Sequence, residues 1–349
     1  MNGKSLNYIG HNQWNGERFP EFYEKIVNGN YEKIIIFGQN EWEWYHHDPI
    51  YWEKLLTYCK NSGKPLHVIT AAHKHLFPVE IENTIVDWWD TYWIGRTYQV
   101  LVHTKNDNFI NPEQHIDYKY RFISMNNRAH DHRCLLLDLL EKYKLIGTNA
   151  VSFHQTPSLY EWKYFKYRPL ILEPEFPIDH DQNRVPRQYY ESFMQLVPES
   201  TEKVIIMSEK TVMPLLFCKP FLVAGQMHFH QFLKGLGFEL YDEIFDYSFD
   251  DEPNIEARYE MLLKNIWRLQ LMPINSLCAL HKRIIGKLKY NHRRALEIAY
   301  DYELYPPIAK EVIEYYKETG IAIDHSLVAV HENLEKYKHT YLARMQNLT

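Results

Sequence analysis

Glu209 and Lys210 are the residues whose types and placing most directly suggest chemistry. They stand in Ser208-Glu209-Lys210-Thr211, between an apolar β-branched run at 204–207 and a helical segment near 212–218. Ser208 and Thr211 are both helix-capping types. Lys219-Pro220 stops that helix, and 221–224 is apolar enough for a buried strand. Gly225 then turns into a helix near 229–235, and Gly237 leads into another strand at 238–241. Strands alternating with helices in this way build parallel sheets covered on both faces. Such sheets take ligands where strand carboxyl ends meet helix amino ends. There a carboxylate can hold a ribose diol and an ammonium a diphosphate. The helix start adds partial positive charge and free N–H groups. The same pair also fits an exposed ion pair on a solvated helix.

A second cluster lies in FGQNEWEWYHHD, residues 37–48. KIIIF at 33–37 is the clearest strand of the first half. The loop follows it, then a helix near 49–62, a Gly63-Lys64-Pro65 break and a strand at 66–70. That is a βαβ unit, and its first loop lies where a Rossmann-like domain keeps its ligands. Glu41, Glu43 and Asp48 are the carboxylates there. A reaction in which a hydroxyl attacks needs one base to deprotonate it, which Asp, Glu or His can supply. His46 and His47 are adjacent, so on an extended chain they point opposite ways and do not make a metal pair. His73 and His75 would share a strand face, but they read more simply as loop residues. Trp88, Trp89 and Trp93 fit packing between layers or an acceptor platform.

The remaining elements follow the same alternation. A strand is expected at 98–103, and the polar stretch 106–112 reads as a domain boundary. The second half opens with a strand at 118–124, a polar turn and a helix at 131–143. Strands at 150–153 and 192–197 flank residues 154–190, whose lack of periodicity suits a functional loop. Asp242, Glu243 and Asp246 with FDDEPN make an acidic tract that reads as solvated, and no metal is expected there. From 254 onward the pattern is helical, broken at Met272-Pro273, interrupted near 290–291 and broken again at Pro306-Pro307. KRIIGKLKYNHRR, 282–294, is basic and amphipathic and suits a solvated helix face or contact with a polyanion.

With 349 residues the chain is long enough for two domains. Its hydrophobic content of 45% and charged content of 24% suit a globular protein. The net charge of −6 argues against a protein that coats nucleic acid without sequence preference. The four cysteines lie far apart with no CxxC, which suggests neither a zinc site nor a disulfide framework and fits a reducing, cytoplasmic setting. No signal peptide and no membrane span are expected.

SEKT, Pro220-Phe221, Gly225 and LKGLGFELYDEIFDYSFDD stand in an order that resembles a motif series of glycosyltransferase-like sequences common in phage and bacterial genomes. Their series is roughly TEKT, PF, G, LR-x-GF-x-TF and D-E-SYD. The Glu-Lys pair is also similar to the YxTEK motif of the α-1,3-fucosyltransferases. MNNRAHDHRCLLLDLL, 125–140, resembles the LNRRPRPHRxxLLxxL segment that opens the nucleotide-binding half of the same group. The resemblance covers about residues 118–260. Ser208 replaces Thr, and Leu240-Tyr241 replaces the TF.

The resemblance implies an α/β fold of two facing Rossmann-like domains, GT-B-like, with a helical C-terminal extension. The expected domains are 1–112 for the acceptor, 113–253 for the nucleotide sugar, and 254–349 as the extension. It implies a glycosyltransferase that moves a sugar from a nucleotide-sugar donor to a hydroxyl acceptor, inverting and metal-independent. Glu209 would hold the ribose and Lys210 the diphosphate, with Thr211 beside them. Arg128 and Arg133 would support the leaving phosphates, since guanidinium forks match phosphate oxygens, and Asn127 would shape the turn. No cofactor is expected beyond the nucleotide-diphosphate sugar as co-substrate. The acceptor would be a glycan or modified DNA. Two further readings stay open: a glycosyltransferase acting on hydroxymethylated bases of phage DNA, and a non-catalytic carbohydrate-binding or structural phage protein.

Overall fold

The computed structural model describes residues 8–12, 18–38, 49–70, 84–88, 94, 97, 117–155, 159–172, 185–323 and 325–346. It is an α/β protein with two four-stranded parallel sheets. The chain divides into two compact units, one made of Met1–Arg96 with Leu296–Asn347, the other of Thr97–Ala295. The helical stretch 254–349, expected as one extension, is therefore shared: residues up to 295 belong to the second unit and 296–347 to the first. The expected strand at 98–103, the boundary at 106–112 and the residues His46, His47, His73, His75, Trp89 and Trp93 lie outside the described residues.

The first unit carries β1 (Tyr8–Asn12), β2 (Lys33–Gly38), β3 (Leu66–Thr70) and β4 (Thr84–Trp88), paired in that order. Ile34, Ile35, Ile36 and Phe37 are all buried, as a parallel strand covered on both faces requires. Helix α1 (Phe19–Asn28) buries Phe19, Phe22 and Ile26, one helical stripe. Helix α2 (Pro49–Ser62) starts at its proline and sets Trp52 against Phe19, ring centroids 6.4 Å apart. Helices α9 (Pro307–Thr319) and α10 (His325–Gln346) complete this unit. Glu311 of α9 pairs with Lys33 of β2 at 2.7 Å, and Tyr315 meets Tyr8 of β1 edge-on at 5.4 Å. Strand β1 is not anticipated from YIGHN, because its pairing comes from partners distant in sequence.

The second unit carries β5 (Tyr120–Asn126), α3 (Asp131–Lys142), β6 (Ala150–Phe153), the short α4 (Arg187–Tyr190), β7 (Ser192–Pro198), α5 (Glu209–Leu216), β8 (Phe221–Ala224) and α6 (Phe229–Gly235). Its strand order is β6-β5-β7-β8. Every residue of β7 is buried, which makes it the centre of the core. Helices α7 (Ile255–Gln270) and α8 (Ser276–Tyr300) follow.

Three expected features do not form. Residues 204–207 are buried but make no ladder, and only Ile206 forms an isolated bridge. Residues 238–241 make no strand either, because Asn291 of α8 satisfies the backbone of Glu239 on both sides. It accepts from the Glu239 N–H at 2.7 Å and donates to its carbonyl at 2.8 Å. The interruption near 290–291 is absent, since Asn291 makes those bonds sideways from an unbroken helix.

Gly10 of β1 sits where an added Cβ would lie 2.5 Å from the carbonyl oxygen of Ile323, between α9 and α10. The obstacle is backbone, so it cannot rotate away. Gly10→Ala is expected to destabilise the first unit by about 1–3 kcal/mol, read as a lower midpoint in urea unfolding.

Candidate functional site

The strand order of the second sheet sets a switch point. The chain leaves β5 to one side for β6 and to the other for β7. The loops after β5 and β7 meet there, and ligands of open α/β sheets sit outside such a point. Glu199 follows β7 immediately and has no exposed surface. Its carboxylate accepts from the Ser200 N–H at 2.6 Å, the Ser208 N–H at 3.0 Å, the Ser208 hydroxyl at 2.5 Å and the Thr211 hydroxyl at 2.6 Å. Four donors offset what a lone buried carboxylate would cost. The backbone of Glu199 is used as fully. Its N–H donates to the Ala224 carbonyl at 3.2 Å, and its carbonyl accepts from His132 Nε2 and Arg133 Nη2, both at 2.9 Å. Gly225 packs close by, since a Cβ there would meet Glu199 Cβ at 3.3 Å.

The expected donor-binding residues gather around this carboxylate with different degrees of freedom. Ser208 caps α5 by accepting from the Lys210 N–H at 3.2 Å. Glu209, the first residue of α5, is buried and forms an ion pair with the Lys210 ammonium. That ammonium also donates to the Ser200 hydroxyl at 3.2 Å. Thr211 is buried with its hydroxyl on Glu199, and Arg133 is buried with its guanidinium on the Glu199 carbonyl. Arg128 is exposed on the turn after β5. The Asn127 carbonyl accepts from the Gln155 N–H at 3.2 Å and so shapes that turn. Glu41, Glu43 and Asp48 lie outside the described residues.

Beside this cluster is a cleft of about 770 Å³ at the carboxyl edge of the same sheet. It is lined by the starts of two helices, Asp131 and His132 of α3 and Ile255, Glu256 and Arg258 of α7. Glu202 from the loop after β7 and Gln226 from the loop after β8 line it too, with Tyr160, Glu161 and Lys163. Glu209 and Lys210 do not line it. His132 joins the two places. Its Nε2 faces the Glu199 carbonyl at 2.9 Å and its Nδ1 faces Glu202 Oε2 at 2.9 Å. Both neighbours offer acceptor oxygens to the ring. The hydrogen bond from His132 holds the Glu202 carboxyl down at about 2.

Arg258 is buried in the floor of the cleft, and burial pushes its guanidinium below the ordinary value. Its Nη1 donates to the carbonyls of Glu252 at 2.5 Å and Pro253 at 3.3 Å, while its Nε has no protein partner. The Tyr259 hydroxyl and Asn126 Oδ1 are likewise buried without a partner. Among the described residues no group of His, Cys, Asp and Glu is placed to hold a metal ion.

Asp138 of α3 was not anticipated. It is buried, and its carboxylate accepts from the N–H groups of Lys163 at 3.0 Å and of Tyr164 and Phe165, both at 2.7 Å. It thereby fixes the aromatic segment that supplies Tyr160 to the cleft. The signal was a single acid among the leucines of CLLLDLLEKY. Glu199 and Glu202 stand in PESTEK, and nothing in that string marks one as buried. Arg258 is one cation in an amphipathic helix, with no motif around it.

No family model matches the chain, and comparison with curated proteins and with solved structures gives no match.

Two outcomes follow from this geometry. Glu199→Ala strips an acceptor from four buried donors and is expected to cost roughly 2–4 kcal/mol in denaturant unfolding, with Thr211→Val costing about 1 kcal/mol. Glu202 has its folded pKa below the unfolded one, so its contribution is complete above the ordinary carboxylate value near 4.5 and disappears as pH falls toward about 2. Thermal melts of the native chain should lose stability across that window, and Glu202→Gln should flatten the loss.

Proposed function

We propose that this chain is a nucleotide-sugar-dependent glycosyltransferase, inverting and metal-independent, built on two Rossmann-like domains in the GT-B manner. The observation that carries the reading is the Glu209–Lys210 pair. It sits at the start of α5 beside the switch point, with Ser208 as its cap and Glu199 ordering the turn around it. The Glu209 carboxylate would take the ribose hydroxyls of the donor. Doing so releases the Lys210 ammonium for the diphosphate, with exposed Arg128 as a second cation. Arg133, Thr211 and Asn127 act one step back, holding the turns on which those groups stand.

The neighbouring cleft supports a hydroxyl-rich ligand. Four carboxylates, Asp131, Glu161, Glu202 and Glu256, can accept from sugar hydroxyls, and Arg258 can donate. Two of the acids already have side-chain partners, Glu202 on the His132 ring at 2.9 Å and Glu256 on the Lys163 ammonium at 3.3 Å. In the transfer, a base drawn from Glu41, Glu43 and Asp48 takes the proton of the acceptor hydroxyl. The oxygen attacks the anomeric carbon, and the bond to the nucleoside diphosphate breaks. Lys210 and Arg128 stabilise the charge that grows on the leaving phosphate.

A melting screen against UDP, GDP, CMP and their sugars tests the reading. A nucleotide at a hundred times its Kd adds about 2.7 kcal/mol to the stability of the native state. Lys210→Ala is expected to lower turnover on the matching sugar roughly a hundredfold or more. Full turnover by that variant removes Lys210 from the mechanism. A screen in which no nucleotide shifts the melt rejects the donor site and favours a non-catalytic binding protein.

A further inference from the structure

The cleft of about 770 Å³ in the second unit is lined by a buried donor that the fold leaves unused. Arg258 reaches it from the first turns of α7 and is only 5% exposed. Its Nη1 is taken by the carbonyls of Glu252 and Pro253, while its Nε has no protein partner. A buried N–H without an acceptor is costly, and a bound acceptor recovers that cost. The charge of the same group is another matter. The carboxylates of Asp250, Glu252 and Glu202 all act on the guanidinium. What Arg258 lacks is therefore an oxygen to receive its N–H, and not a counter-charge.

The other polar groups narrow the ligand further. Four carboxylates line the cleft, against the two permanent cations Lys163 and Arg258 and the His132 ring. Such a lining disfavours an anion. A cation entering it would meet the Arg258 guanidinium. A hydroxyl satisfies both demands, because it accepts from an N–H and donates to a carboxylate. Asp131 and Glu161, both exposed, are the acids that a ligand reaches without displacing a salt bridge.

The lining also has apolar parts. Tyr160 meets Trp162 edge-on at 4.8 Å, and Trp162 meets Phe165 at 5.1 Å. Asp138 pins the same segment through the N–H groups of Tyr164 and Phe165. The Tyr160 ring is thus held before any ligand arrives. With Met227 and Ile255 it offers a surface for the C–H face of a ring.

We propose that this cleft binds a neutral saccharide. Its hydroxyls accept from Arg258 and donate to Asp131 and Glu161, and its C–H face lies on Tyr160. In the transfer proposed above that saccharide is the acceptor, which makes the acceptor a glycan and not DNA. That role rests on the donor-site reading; the binding itself does not. Glu209 and Lys210 do not line the cleft, so the two sites are separable. A DNA strand would bring phosphates to four carboxylates.

An array of neutral, acidic and amino glycans, probed with the full chain in the absence of nucleotide, tests this. Neutral glycans should be retained over the other two classes, with little dependence on salt. Asp131→Ala with Glu161→Ala should weaken retention roughly tenfold. Both side chains are exposed, so the melting temperature should change little. Arg258→Met should weaken retention by roughly tenfold or more. If that buried substitution prevents folding, the double alanine variant decides alone. Retention of no neutral glycan overturns the proposal. So does a preference for acidic or amino glycans, or full retention by the double variant. A nucleotide screen that fails while neutral glycans bind removes the donor site and leaves this one standing.

Discussion

A carboxylate with no exposed surface holds together the edge of the second sheet where its loops meet. Glu199 stands at the end of the central strand and receives two backbone N–H groups and two hydroxyls. A charge in that position tolerates little movement of its donors, because each lost bond leaves a desolvated anion. The Ser208 N–H and hydroxyl are therefore fixed, and with them the cap of α5. The position of Glu209 and Lys210 is set by a residue that need touch no ligand. Through its carbonyl the same residue holds His132 and Arg133, so the start of α3 is located by the end of β7.

The charges around it follow from that arrangement. A cation at a helix amino end works against the helix dipole. His132 lies at such a place on α3, with the Glu199 carbonyl on one ring nitrogen and Glu202 on the other. Arg258 is in a comparable position in the first turns of α7, where it donates to the carbonyls of Glu252 and Pro253 and feels the carboxylates of Asp250, Glu252 and Glu202. Its Nε is left over. One helix start is thus internally satisfied and the other retains a donor, both within the same cleft. The acidic tract before α7 serves the fold in a similar way. Asp250 is buried, caps α6 by accepting from the His230 and Gln231 N–H groups, and takes the His230 Nδ1–H at 2.9 Å. His230 Nε2 accepts from the Val223 N–H at 3.1 Å, so the ring bridges Asp250 and β8. An acid run that reads as solvated from sequence therefore contains the cap of a helix.

Much of the architecture was legible because the chain punctuates itself. Proline at Pro49, the Gly63-Lys64-Pro65 break, Lys219-Pro220 and Gly225 bound α2, β3, β8 and α6, and those elements form where the sequence places them. Apolar runs without punctuation were less reliable. Residues 204–207 have strand composition, yet Ser208 beside them is drawn back to Glu199 and only Ile206 forms a bridge. Residues 238–241 have it too, yet a side chain from α8 takes their backbone bonds. In each case a polar contact distant in sequence outcompetes local propensity. The site shows the same division. Ser208, Glu209 and Lys210 announce themselves as a capped helix start. Glu199, Asp138 and Arg258 do not, because burial is what distinguishes them and a one-letter string does not carry it.

The distribution of charge along the second half is uneven, yet its acids and bases meet in space. From Asp242 to Glu260 acids outnumber bases, and several of them end in specific bonds: Asp250 on α6, Glu243 on Lys287 at 2.9 Å, Glu260 on Lys142 at 2.5 Å. From 261 to 295 there are only cations. Had the two signs been interspersed, neighbouring side chains along α7 and α8 would neutralise one another within a turn or two. Segregation instead lets the acids cap helices and line the cleft at the carboxyl edge. Cations of the following stretch close bonds of their own: Lys287 on the Leu240 carbonyl at 2.7 Å as well as on Glu243, and Arg294 Nε on the Leu236 carbonyl at 2.9 Å. The first unit needs no such arrangement around its C-terminal helices: Lys33 and Glu311 meet directly, one from a strand and one from a helix nearly the whole chain away. Opposite charges brought together across such a separation serve the fold.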